Sequence, residues 1–218
     1  MNSKTKHIIS IASLGLVMVL IALVVILAVI PTYKGVTFYN ADGAFSANDR
    51  PDVITVRTNT SQELQFYKDA ESDTEMYDKL WDAYNAAGSY SLFNALFIGI
   101  SGKQPDAERL EKSSSAMSTL FDTSDEYCLI FTWYADQTMM NADGSLFQYT
   151  SGDQKYDAPK YTRAYLSVTS ADVISKTPVY LLEGNRDFKN GTTRFVYNGY
   201  FNTSDLYQML AGLEFNNV

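Results

Sequence analysis

Residues 8–30 read IISIASLGLVMVLIALVVILAVI, 23 positions without a charge. Wound as a helix, the stretch is about 34 Å long, enough to cross a hydrocarbon core of about 30 Å. Only Ser10, Ser13 and Gly15 interrupt the apolar run, and a serine hydroxyl can bond back to its own helix. Pro31 marks the stop, because its ring disfavours helical geometry at Ile30. A cleaved signal peptide has a shorter apolar region, about 7–15 residues, and small residues before the cut. Here the run ends Ala28-Val29-Ile30-Pro31, and no cysteine follows it for lipid attachment. The stretch therefore reads as an anchor. Lys4, Lys6 and the α-amino group precede it, while Lys34 is followed by Asp42, Asp49, Arg50 and Asp52. That bias places residues 1–7 in the cytoplasm and residue 31 onward outside the cell membrane.

The 188 residues beyond the anchor suffice for one ordinary domain with a real core. Hydrophobic residues make up 46% of the chain, with 16 Tyr and 12 Phe, so disorder is excluded and strands are favoured. Residues 31–218 carry 15 Lys and Arg against 25 Asp and Glu, a net of −10. Such a surface repels phosphate backbones, which excludes nucleic acid as a partner. The single cysteine, Cys128, lies in an apolar run and reads as a buried small hydrophobe. An exported domain without disulfides fits a bacterial envelope better than a small secreted eukaryotic domain.

Hydrophobic periodicity predicts an α+β domain, an antiparallel β-sheet with helices packed on one face. Residues 31–52 form a stalk or first hairpin with a turn at Ala41-Asp42-Gly43, and 53–218 form the extracytoplasmic domain. The tetrapeptide Asn-Ala-Asp-Gly recurs at 141–144 as a second hairpin tip. Strands are expected at 53–57, 63–67, 127–134, 146–150, 161–169, 179–183 and 193–201, with an Asn190-Gly191 turn. The segment 127–134 is apolar on both faces and reads as central. One helix is expected over 73–87, opened by a Ser72-Asp-Thr-Glu75 capping box and burying Met76, Leu80, Trp81, Tyr84 and Ala87. A second runs from Ser204 to Leu213, capped by Thr203 or Ser204, with Leu206, Met209, Leu210 and Leu213 inward. Residues 92–100 fit a strand or a short buried helix, and 101–115 read as an exposed loop.

The chemistry is sparse. His7, at the edge of the anchor, is the only histidine, so the outer domain holds no Ser-His-Asp or Cys-His pair and no imidazole zinc ligand. Gly99-Ile-Ser-Gly-Lys103-Gln104 has the wrong glycine spacing for a phosphate loop and Gln where Ser or Thr must reach Mg²⁺. The Asn-x-Asp-Gly turns lack further calcium ligands, with Phe38 and Met139 at the preceding carboxylate positions. Asp122, Asp125, Glu126, Asp136, Asp153, Asp157, Glu183 and Asp187 sit beside turn residues and read as solvated groups. No cofactor and no metal are expected.

One surface stands out. Strict alternation along 161–168 puts Tyr161, Arg163 and Tyr165 on one face, a row that would stack on sugar rings or grip a protein. Asn59-Thr-Ser61, Asn190-Gly-Thr192 and Asn202-Thr-Ser204 fit the N-glycosylation pattern and otherwise read as turns and a cap. The chain is thus expected to be a membrane-anchored, non-enzymatic module that binds a protein or glycan partner. The alternatives are an envelope enzyme acting on glycans or peptides through carboxylates, and an accessory subunit of a membrane complex.

Overall fold

The computed structural model describes residues 3–29, 31–33, 36–41, 49–91, 111–113, 127–140, 145–151, 153–157, 160–182 and 194–215. The expected turns at 42–43, 141–144 and 190–191 and the apolar run 92–100 lie outside the described residues. Two compact units emerge: Met1–Tyr33 with Ser89–Lys103, and Lys34–Gly88 with Gln104–Val218.

The first unit is built on helix α1, Ser3–Val29, within which Ile11–Val29 is long and apolar enough to cross a membrane. Every described side chain from Ile11 to Val29 is exposed except Leu27, which is intermediate. The helix stops before strand β1, Pro31–Tyr33, which pairs antiparallel with β5, Tyr90–Ser91.

The second unit is an open antiparallel sheet with two helices. In chain order its strands are β2 (Tyr39–Asn40), β3 (Val53–Arg57), β4 (Glu63–Tyr67), β6 (Glu111–Ser113), β7 (Tyr127–Thr138), β10 (Tyr161–Val168), β11 (Ser175–Leu182) and β12 (Arg194–Phe201). Their spatial order is β4-β3-β7-β10-β11-β12-β6, with β2 beside the far end of β7. Strand β7 is central, as its two-faced apolar pattern predicts. Val53 to Arg57 of β3 lie opposite Thr132 to Cys128 on one side, and Arg163 to Val168 of β10 lie opposite Thr132 to Tyr127 on the other. A separate hairpin pairs β8, Gln148–Ser151, with β9, Gln154–Asp157.

Helices α2, Thr74–Ala87, and α3, Ser204–Ala211, share one core with alternate residues of the sheet. Tyr77, Leu80, Trp81, Tyr84 and Ala87 of α2 join Ile54, Val56, Leu129, Phe131, Leu166, Val179 and Leu181. The contacts are largely aromatic: Phe131 stands edge-on to Tyr84 at 4.7 Å and to Trp81 at 5.8 Å. The intervening strand residues Cys128, Ile130, Tyr165 and Leu182 form a second, smaller buried cluster.

Within the expected stalk or first hairpin, Phe38 is fully buried among Trp133, Tyr84 and Phe131, and the Tyr84 hydroxyl donates to the Val36 carbonyl at 2.9 Å. Several expectations are corrected. Tyr77, rather than Met76, occupies the first buried turn of α2; Met76 packs at the core's margin. The capping box does not form. Asp73 is the N-cap without a side-chain cap bond, because its carboxylate takes the Ser72 hydroxyl at 2.7 Å and the Tyr67 N–H at 3.2 Å. That second bond closes one outward N–H of edge strand β4, where an open ladder invites stray pairing. Within the expected loop 101–115, Glu111–Ser113 form a strand on β12.

Strand β11 extends four residues before Val179 and contains Pro178, because this part pairs with β12 alone. A proline without an N–H is tolerated where one neighbour is missing. At α3 the Thr203 hydroxyl donates to the Thr169 carbonyl (3.0 Å) and accepts the Thr169 N–H (3.1 Å), so it ties helix to sheet instead of capping. Asn202 does the local turn work, accepting from the Ser204 N–H at 3.2 Å.

Candidate functional site

The row expected from strict alternation along β10 is not presented as one surface. Tyr161 is fully buried in the main core, 6.1 Å from the Trp133 ring and edge-on to it. Tyr165 is 3% exposed, in the second cluster with Cys128, Ile130 and Leu182. Burial pushes its phenol pKa well up, against the opposing pull of the Arg163 guanidinium beside it. Arg163 alone of the three is half-exposed.

The cause is an irregularity in β7. Tyr161 lies opposite Gln137, and Arg163 lies opposite Thr132. Four β7 residues, Trp133 to Asp136, thus face the single residue Thr162. The ladder breaks and the chain turns, which carries Tyr161 to the core side. On the other flank of β7 the same stretch separates β3, which ends with Val53 opposite Thr132, from β2, where Asn40 lies opposite Gln137.

This bulge is the most distinctive local structure among the described residues. Its flanks are buried: Trp133 is 3% exposed and Gln137 fully enclosed. Between them Tyr134, Ala135 and Asp136 are exposed. The backbone is held from several sides. The Asp52 carboxylate accepts the Tyr134 N–H at 2.6 Å, the Ala41 N–H donates to the Asp136 carbonyl at 2.9 Å, and the Trp133 indole donates to the Asp49 carbonyl at 3.1 Å. Gln137 gives its side-chain N–H to the Ala135 carbonyl at 3.4 Å, while its buried amide oxygen has no hydrogen-bond partner among the described residues. An unpaired buried acceptor costs about 1–3 kcal/mol.

Tyr134 is 75% exposed, well above Tyr67 (41%) and Tyr156 (42%). The start of β3 supplies nearby charge. Asp49 and Asp52 bond the bulge, and Arg50 between them is already engaged, ion-paired to Asp78 with its guanidinium 5.0 Å from the Tyr77 ring centre. The Tyr77 hydroxyl donates to the Pro51 carbonyl, which ties α2 to the same corner.

Among the described residues no group of three His, Cys, Asp or Glu side chains gathers as a metal would require. Of the carboxylates singled out in the sequence, Asp136 belongs to the bulge, Asp157 accepts from Gln148 at 3.0 Å, and Asp153 is exposed. Asp122, Asp125, Glu126, Glu183 and Asp187 lie outside the described residues, as does Gly99 to Gln104. The one signal of the bulge in the sequence is the polar run Asp136-Gln137-Thr138 closing a largely apolar strand.

Comparison with protein-family models, with characterised proteins and with solved structures finds no match. By its architecture the chain is an α+β protein with one candidate membrane-spanning helix.

Proposed function

We propose that the chain is a single-pass membrane protein whose residues 31–218 lie outside the cell and bind a partner protein or an envelope component without catalysing a reaction. The observation that carries this reading is the bare apolar surface of α1. From Ile11 to Val29 every described side chain except the half-buried Leu27 is exposed. Apolar surface of that length is stable only when hydrocarbon replaces water around it. The lysines before the helix and the acidic balance after it support an inward N-terminus. Non-enzymatic binding is supported by the residue types at hand, with no histidine beyond His7 to pair with a nucleophile. The exposed, firmly held bulge is a contact feature and not a reaction centre.

Chemical crosslinking of membranes that carry the full-length chain tests this. The same partner should copurify repeatedly, and should be lost when the domain is unfolded by a charge placed in its core, as in Leu129→Asp. Repeated recovery of the chain alone, or equal recovery with the unfolded variant, would overturn the reading.

A further inference from the structure

We infer that the Tyr134 bulge is the contact surface of the outer domain and that it receives a lysine or arginine side chain of a partner protein. This deepens the binding reading above and rests on it.

The first argument is display. A tyrosine ring 75% exposed on a backbone held by Asp52 and Ala41 is presented without backbone ordering left to be lost on contact. Rigid aromatic side chains are the residues that anchor protein interfaces. The second argument is cost. Four residues facing one break the central strand's ladder, and the buried Gln137 amide oxygen beneath them has no partner among the described residues. A straight β7 would avoid both. Local rules broken without gain to the fold mark functional positions, and bulges serve to re-aim a side chain.

The third argument is charge. A phenol face attracts a cation. Asp136 is exposed on the same bulge, and the half-exposed Asp52 carboxylate lies 2.6 Å from the Tyr134 N–H. Arg50, the cation between Asp49 and Asp52 in the chain, is taken by Asp78. The outer part as a whole carries −10. A positively charged side chain meets a ring and carboxylates together; an anionic or purely apolar group meets no such complement.

The test uses the full-length protein in phosphatidylcholine nanodiscs and a fluorescent Gly-Lys repeat peptide, followed by anisotropy. The peptide should bind at low salt and weaken at high salt. Tyr134→Ala should weaken binding about fivefold or more, and Tyr134→Phe, which keeps the ring, should bind as the parent does. Asp136→Asn should weaken it less, and Tyr67→Ala should change nothing. Each variant should melt like the parent, since position 134 is exposed. Failure of the peptide to bind, or equal binding by Tyr134→Ala, overturns the inference. If membrane crosslinking still recovers a partner with Tyr134→Ala, the bulge assignment falls and the tethered-binding reading stands. If no variant, nor the parent, recovers a partner, the broader reading falls with it.

Discussion

Along α1 the apolar side chains run all the way round the helix; along α2 they occupy a stripe. In α1 they are exposed from Ile11 to Val29 apart from Leu27. In α2 the buried positions are Tyr77, Leu80, Trp81, Tyr84 and Ala87, and between them Asp82 and Ala86 face water. The two patterns call for different surroundings. A stripe is satisfied by one neighbour, here the aromatic-rich sheet core. An all-round apolar surface needs a medium that contacts it on every side. The stability of α2 therefore depends on the packing of the sheet unit, whereas that of α1, in the proposed membrane arrangement, depends on lipid. Substitutions should separate the two.

The largest expected effect is on α1. Leu16→Arg with Leu20→Arg should cost about 6 kcal/mol of insertion, at about 3 kcal/mol per mid-helix arginine. The membrane-bound fraction after an alkaline wash should fall, while the melting temperature of the outer domain stays where it was. The reciprocal change is Phe131→Ala. Phe131 touches Tyr84, Trp81 and Phe38 and is fully buried, so its loss should remove about 3–5 kcal/mol of domain stability in denaturant titration. The membrane-bound fraction should not change. If either variant moved both readouts, the separation would break.

These two regions also differ in how much of them can be read without coordinates. The long apolar helix is legible to within a residue at its C-terminal end, because its uncharged run is closed by Pro31. Strands β3 and β4 are legible from the β-branched run of β3 and the alternation of β4, joined by turn residues. The bulge is not. Periodicity assumes an unbroken ladder, so it placed Tyr161 beside Tyr165, when the β7 irregularity sends Tyr161 into the main core and leaves Tyr165 in the other cluster. Tyr77 is passed over in favour of Met76, since a tyrosine on a helix carries no fixed expectation of burial, and its hydroxyl is satisfied by the distant Pro51 carbonyl. Strand β9 is entirely exposed, and its pairing with β8 makes it a strand. For the bulge and for Tyr77 the missing information is a contact far away in sequence; for β9 it is the neighbouring strand of a hairpin.

Smaller effects sharpen the picture inside the outer domain. Tyr165 resists ionisation when folded because it is buried, and ionises near its ordinary value of about 10 when unfolded. Above that value the unfolded state binds fewer protons than the native one, so stability must fall as pH rises. Tyr165→Phe should flatten this alkaline decline by about 1.4 kcal/mol per pH unit, as followed by denaturant midpoints. The smallest effect is at the β3–β4 turn. Ser61 has φ of 66°, with its N–H on the Thr58 carbonyl at 3.0 Å and the Thr58 N–H on the Gln62 carbonyl at 3.0 Å. That is a three-residue hairpin loop whose last position favours glycine. Ser61→Gly should raise domain stability by about 0.5 kcal/mol, even after losing the exposed bond from Arg57 to the Ser61 hydroxyl.

The measurement that bears most directly on the tethered arrangement is thiol labelling in intact cells. Cys128 is buried, so a single cysteine placed elsewhere reports alone. Glu71, exposed before α2, and Ser3, ahead of the apolar stretch, are the two positions to compare. With a membrane-impermeant maleimide, Glu71→Cys should label in intact cells and Ser3→Cys only after permeabilisation, with the protein resisting an alkaline wash. Labelling of Ser3→Cys from outside, or a full-length chain found free in the soluble fraction, would contradict the account.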